Sequence, residues 1–367
     1  MTITMRRRLS IAGALSIALF ASACGSSSKT ASTTSGAATT AAGTTAAAGD
    51  LKATLNASGS TFQKAFEDEA TKAFSDKNKG VTINYAGGGS GKGRTDLAGQ
   101  LVDFAGSDSP YAAADLANNK GGDVLYFPIM LGPITLSYNL DGVDKLNLSA
   151  DTIAKIFSRT VKTWDDAAIK ADNPDAKLPS TPITVVHRSD GSGTTQNFTA
   201  YLVAAAPSSW TLKSGSTVEW PADTQAGAGN AGVAKAINDN KGAIGYVDLS
   251  DAKAAKLKYA SVKNKAGKVV APNADSASAA GAGITVKDDL TFAAINADGD
   301  ASYPITYQSW IIVYAKQTDK AKGDVVKAYL TYLLGDGQKL LPDLDFAPLP
   351  KAIQDKAVAQ LAKITVG

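Results

Sequence analysis

Three times along this chain a short β-branched run ends in a cluster of Gly, Ser and Thr and passes into an amphipathic stretch. The first is Leu51 to Ala57, followed by Ser60 to Phe74, where Phe62, Phe66, Ala70, Ala73 and Phe74 fall at helical spacing. The second is Val81 to Tyr85, then Gly87-Gly88-Gly89-Ser90-Gly91, with Thr95 to Leu101 read as the helix behind it and Leu97 and Leu101 on one face. The third is Pro182 to His187, entering Arg188-Ser189-Asp190-Gly191-Ser192-Gly193-Thr194-Thr195, after which Phe198, Tyr201, Leu202 and Ala205 mark a helix. Ala243 to Val247 and Trp310 to Tyr314 read as further strands, and the alternation predicts an α/β architecture without internal repeats. Each turn leaves backbone N–H groups and a hydroxyl at a helix N-terminus, which suits an anion. One such turn is ordinary, and its Ser or Thr is usually a helix cap. Three in one chain, with Arg188 in one and an Asp close behind another, are more specific.

The first residues read differently. Arg6, Arg7 and Arg8 precede an apolar stretch from Leu9 to Phe20, then Ala21-Ser22-Ala23 and Cys24. The stretch is short against the ~20 residues a bilayer needs. It reads as a cleaved export signal over residues 1–23. Cys24, the single cysteine, stands where a bacterial lipoprotein signal places its lipidated residue. A diacylglycerol there would hold the protein at the outer face of the cell membrane. The competing reading is an ordinary peptidase cut after Ala23. Residues 24–49 are almost wholly Ser, Thr, Ala and Gly, a flexible tether rather than a core. The ~315 residues that follow exceed the ~150 of a usual single domain, so two lobes are expected. Removing the signal's three arginines takes the charge from +3 to balance, 34 basic against 34 acidic, with no basic stripe. Nucleic acid is therefore not an expected partner.

Two motifs mislead. Gly91-Lys92 looks like a nucleotide-binding loop, but Ala86 stands where that loop needs Gly, and Gly93 where it needs Ser or Thr. Ser192 with His187 and Asp190 suggests a hydrolase, yet three residues in one strand end and turn do not converge as a triad must. His187 is the only histidine, so a His/Cys metal site is not expected. Arg188 offers a planar, permanently charged fork suited to oxyanions; its plainer reading is a surface ion pair with Asp190. Asp108 near an anion is repulsive unless a proton lies between them; its plainer reading is a helix cap or turn residue before Pro110. A secreted phosphatase would need a metal cluster or a nucleophile with a separate base, and a surface antigen would hold no tight small anion.

From about Leu55 to Pro350 the chain resembles the PstS-type phosphate-specific substrate-binding lipoproteins of high-affinity ABC phosphate transporters. The residues that carry this are Gly59-Ser60-Thr61-Phe62, Asn84 to Ser90, Val102 to Asp108, Lys162 to Asp166, Arg188 to Thr194, Gly242 to Val247 and Phe346 to Pro350. The resemblance implies an α/β, two-lobed periplasmic binding protein fold of type II with two inter-lobe crossovers. One lobe would comprise 51–137 and 306–367, the other 138–305. It implies no catalysis and no cofactor. Phosphate contacts would come from Thr61, Phe62, Ser90 and Asp108 on one lobe and Arg188, Ser192, Gly193 and Thr194 on the other, with Asp190 holding Arg188. Inorganic phosphate would pass to the permease subunits and ATPase of an ABC importer, with sulfate or a metal oxyanion as the competing ligand. Ser60 and Gly88 depart from the family's small or apolar residues, beside the contacts.

Overall fold

A computed structural model describes residues 51–367. The export signal, Cys24 and the tether lie outside the described residues. The first half of the fold begins with β1 (Ala53–Gly59), α1 (Lys64–Lys77), β2 (Val81–Gly88), α2 (Ser90–Ala98), β3 (Phe104–Ser107) and β4 (Val124–Tyr138). The second contains β5 (Thr184–Arg188), α3 (Gly193–Ala205), β6 (Gln225–Gly227), α4 (Gly229–Asp239), β7 (Ala243–Asp248) and β8 (Lys258–Tyr259). The chain then returns along β9 (Thr306–Tyr314) into α5 (Lys320–Leu334).

The strands run in the order β2-β1-β3-β9-β4-β7-β5-β6, with β8 also on β4. β1 is parallel to β2 and β3, and β5 is parallel to β6 and β7. Parallel neighbours need long crossovers, which α1, α2, α3 and α4 help to supply. β4 joins the halves. It pairs antiparallel with β9 from Val124 to Pro133 and with β7 from Ile134 to Tyr138. Nearly all of its residues are buried, so it reads as a continuous apolar run rather than an alternating one.

Most of the periodic signal folds as expected. Phe62, Phe66, Ala70 and Phe74 are buried, although α1 begins only at Lys64 and Ser60–Gln63 form the bend before it. The second helix departs from the reading. It starts at Ser90 and ends at Ala98, with Leu97 fully buried and Leu101 73% exposed. Gly91 and Gly93 argue against helix locally. The packing requires them: a Cβ on Gly93 would lie 2.7 Å from Gly59 Cα. At Gln100 the chain turns with φ 61°, which carries Leu101 off the helix face.

Candidate anion site

The first half brings a carboxylate and hydroxyls to the carboxyl ends of β1 and β3. At Gly59 the backbone has φ +139°, and a Cβ there would stand 2.0 Å from Gly106 O, so the two strand ends touch through bare backbone. The chain leaving β1 presents Ser60, Thr61 and Phe62; the chain leaving β3 presents Asp108. Asp108 Oδ1 accepts from Ser60 Oγ and from Ser309 Oγ, each at 2.6 Å. Ser90 Oγ, at the start of α2, lies 3.2 Å from Oδ2 and receives the Asp108 N–H at 3.1 Å. These partners are 18, 48 and 201 residues distant in sequence, so Asp108 is no local turn residue. Burial pushes its pKa above the ordinary carboxylate value, while the Ser309 and Ser60 hydroxyls, the Arg188 charge and Ser90 pull the other way.

The second half brings a cation and a helix end. Arg188 closes β5 and is 4% exposed, which makes its pair with Asp190 a buried one. Its Nε donates to Asp190 Oδ1 at 2.8 Å and its Nη2 to Asp190 Oδ2. Its Nη1 donates to Asn230 Oδ1 at 3.0 Å and reaches Thr194 Oγ1 at 3.4 Å. A guanidinium has five N–H groups; one on Nη2 is left without a partner among the described residues. Burial works against the Arg188 charge, but the bond to Asp190 and its charge hold the guanidinium pKa above its ordinary value. Burial likewise opposes the Asp190 charge, and Arg188 outweighs it, so the carboxyl sits below its usual range. Ser192 caps α3 by accepting from Thr195 N at 3.1 Å. The N–H groups of Gly193 and Thr194 open the helix and have no partner within it.

The two halves meet here. Gly91 N donates to Gly191 O at 2.8 Å. Asn197 Nδ2 donates to Asp108 O at 2.7 Å, and Asn230 N to Thr61 Oγ1 at 3.2 Å. A Cβ on Gly193 would lie 2.5 Å from Ser90 Oγ and 2.7 Å from Asp108 Oδ2, so the start of α3 abuts the carboxylate. A crevice of about 350 Å³ flanks Asp108, bordered by Ser109, Asn197, Thr291 and Gln308 among others.

Thr61, Ser90, Asp108, Arg188, Ser192, Gly193 and Thr194 are thus gathered in one place, with Asp190 gripping Arg188. Phe62 adjoins them, but its N–H donates to Ser60 Oγ at 3.1 Å, and its ring packs on Tyr307 at 4.0 Å between centroids. Ser60, Asn197, Asn230, Tyr307 and Ser309 also take part and were not named from the sequence as contacts. Ser60 stood in view within Gly-Ser-Thr-Phe. Asn230 follows Gly227-Ala228-Gly229 between a strand and a helix, the same punctuation as the other three turns. Tyr307 and Ser309 lie inside a strand and carried no local signal. His187 is not part of this constellation. Its Nδ1 lies 2.9 Å from Arg188 O and its ring stacks on Trp220 at 5.0 Å. Among the described residues no group of three or more His, Cys, Asp or Glu is placed to hold a metal ion.

Residues 20–337 match the family described as the PBP superfamily domain. The phosphate-binding protein PstS 3 of Mycobacterium leprae is 37% identical over 317 residues, covering 83% of this chain and 85% of that protein. The phosphate-binding protein PstS of Xylella fastidiosa is 37% identical over 277 residues, 74% of this chain and 75% of its own. A solved high-affinity periplasmic phosphate-binding protein, bound with phosphate, superposes with TM-score 0.71 at 24% identity, covering 84% of this chain and 94% of the other. At that identity the superposition bears on the fold alone.

Proposed function

The chain belongs to the PBP superfamily, among its PstS-type phosphate-binding proteins, and its fold is their two-lobed α/β fold; from that premise we propose that it binds inorganic phosphate between its lobes and delivers it to an ABC importer without catalysing a reaction. The observation that carries the reading is the placing of Arg188 near Asp108, within reach of its charge. A buried cation and a buried, multiply hydrogen-bonded acceptor from opposite halves are brought to one place. The cation suits any oxyanion. The acceptor suits one that still carries a proton, as phosphate does at neutral pH and sulfate does not.

In this reading Thr61, Phe62, Ser90, Asp108, Arg188, Ser192, Gly193 and Thr194 are the phosphate contacts, and Asp190 fixes the guanidinium. The lobes are 51–137 with 306–367, and 138–305. The change of partners along β4, from β9 to β7 after Pro133, supports a crossover in that strand. Residues 1–23 serve as an export signal and Cys24 as a lipid anchor at the outer face of the cell membrane, for which the sequence is the support. Among the described residues no helix is long and apolar enough to cross a membrane.

Calorimetry on the purified, phosphate-stripped protein tests the reading. Phosphate should bind tightly and sulfate feebly or not at all. Sulfate binding as tight as phosphate, or no anion binding, would sink it.

A further inference from the structure

Asn230 is the second residue of α4 and is fully buried. Its backbone N–H donates to Thr61 Oγ1 at 3.2 Å, across the lobe boundary. Its side-chain Oδ1 accepts from Arg188 Nη1 at 3.0 Å. Asn230 therefore touches one proposed phosphate contact from each lobe. Its Nδ2 is buried and has no hydrogen-bond partner among the described residues. A buried donor left unmade carries a desolvation penalty, and native structures rarely tolerate one without a reason.

Turning the amide over does not remove the problem. Arg188 has donors only, so the atom facing it must be the carbonyl oxygen. The orientation of the amide is fixed by its neighbour, and Nδ2 stays a donor. Arg188 faces the amide; Asp190 and Asp108 act on the Arg188 charge through space, and Arg188 acts on Asp248. Asp190 is already engaged by Arg188 and by Gly229 N at 2.9 Å. The amide lacks an acceptor, and an oxyanion oxygen that carries no proton would supply one.

We propose that Asn230 Nδ2 is a further hydrogen-bond donor to the bound phosphate. The proposal rests on the reading of the site given above and adds to it a residue that selects for unprotonated ligand oxygens, opposite in sense to Asp108.

The test compares the unaltered protein with Asn230→Asp and Asn230→Ala, by phosphate calorimetry at pH 6 and pH 8, with far-UV circular dichroism to confirm folding. Asn230→Asp keeps an oxygen facing Arg188, exchanges the donor for an acceptor and adds a negative charge that Asn230→Ala does not. It should weaken phosphate by about 100-fold at pH 8 and by clearly less at pH 6, where the ligand gains a proton to share. Asn230→Ala should weaken it by about tenfold at both. If Asn230→Asp does not fold, the alanine variant carries the test. Both variants within threefold of the unaltered protein would overturn the proposal while phosphate binding itself stood. An equal loss at both pH values in Asn230→Asp, with Asn230→Ala unaffected, would assign the effect to charge alone and also overturn it. Failure of the unaltered protein to bind phosphate would instead remove the function on which the proposal rests.

Discussion

Glu67 and Asp108 are both carboxylates of the first half, 0% and 1% exposed, and their surroundings differ in one respect. Glu67, on α1, receives one hydrogen bond, from Tyr329 Oη to Oε2 at 2.8 Å, and its Oε1 has no partner among the described residues. Burial pushes its pKa up to about 8; the Tyr329 bond opposes this and the Asp68 charge adds to it. Asp108 is as well buried and burial raises its pKa too, but three serine hydroxyls and the Arg188 charge oppose the rise. Burial by itself neutralises an acid. A carboxylate remains an acceptor inside a protein only where donors have been laid out for it, and here they come from the chain leaving β1, from α2 and from β9. Glu67 is part of the framework and keeps its proton; Asp108 is equipped to receive one.

The largest expected effect comes from removing the acceptor. Asp108→Asn keeps the shape but offers a donor to either anion. A site that bonds a ligand's proton can reject an analogue lacking it by ~10⁴. The phosphate-to-sulfate affinity ratio should narrow by a factor approaching that size, measured by calorimetry with both anions. A variant that still excludes sulfate fully would show that Asp108 is not the discriminator.

Glu67 should act on stability rather than binding. Its native pKa, about 8, lies above the ordinary 4.5, so between those values the native state holds a proton that the unfolded chain has released. Stability should therefore fall as pH rises through that window, by roughly 5 kcal/mol, and level off above it. Glu67→Gln should remove that portion of the slope in urea unfolding at pH 5 and pH 8.5. Identical slopes in both proteins would mean that Glu67 ionises freely.

Arg188→Ala removes the cation proposed to bind the anion, whose charge also opposes the burial-driven rise of the Asp108 pKa. Truncating one member of a buried charge pair costs about 2–5 kcal/mol, or roughly one and a half to four decades of phosphate affinity. A loss below threefold would place Arg188 outside the site.

The smallest effect is the finest probe of the comparison. Ser60→Ala deletes one of the three hydroxyl donors to Asp108, which should raise that carboxyl's pKa. Phosphate affinity should drop by about tenfold at pH 5, where more of Asp108 then holds its own proton, and by less at pH 8. An equal loss at both values would show that Ser60 does not tune the charge.

The sequence made some of this visible. The apolar spacing of Phe62, Phe66, Ala70 and Phe74 announced α1 because burial and helical period coincide there. Arg188 to Thr194 was legible because cation, caps and glycines are contiguous. The start of α2 was not, since Gly91 and Gly93 serve packing at the expense of propensity. Ser309 was not either. Its partnership with Asp108 spans 201 residues and exists only once β9 has returned beside β3. Asn230 lay in a fourth Gly-punctuated turn, but its unpaired amide is a property of three dimensions.

The seam where Gly91 N meets Gly191 O has a consequence for time rather than affinity. Both sides are bare backbone, and a Cβ on neighbouring Gly89 would fall 2.2 Å from Asp190 Oδ2. No side chain there can swing aside as a gate. If the anion sits behind this seam as proposed, its release requires the seam to part, and its residence is expected to follow the rate of lobe separation more than the number of donors. Gly89→Ala would act as a wedge at the seam, and stopped-flow release should show a shortened residence.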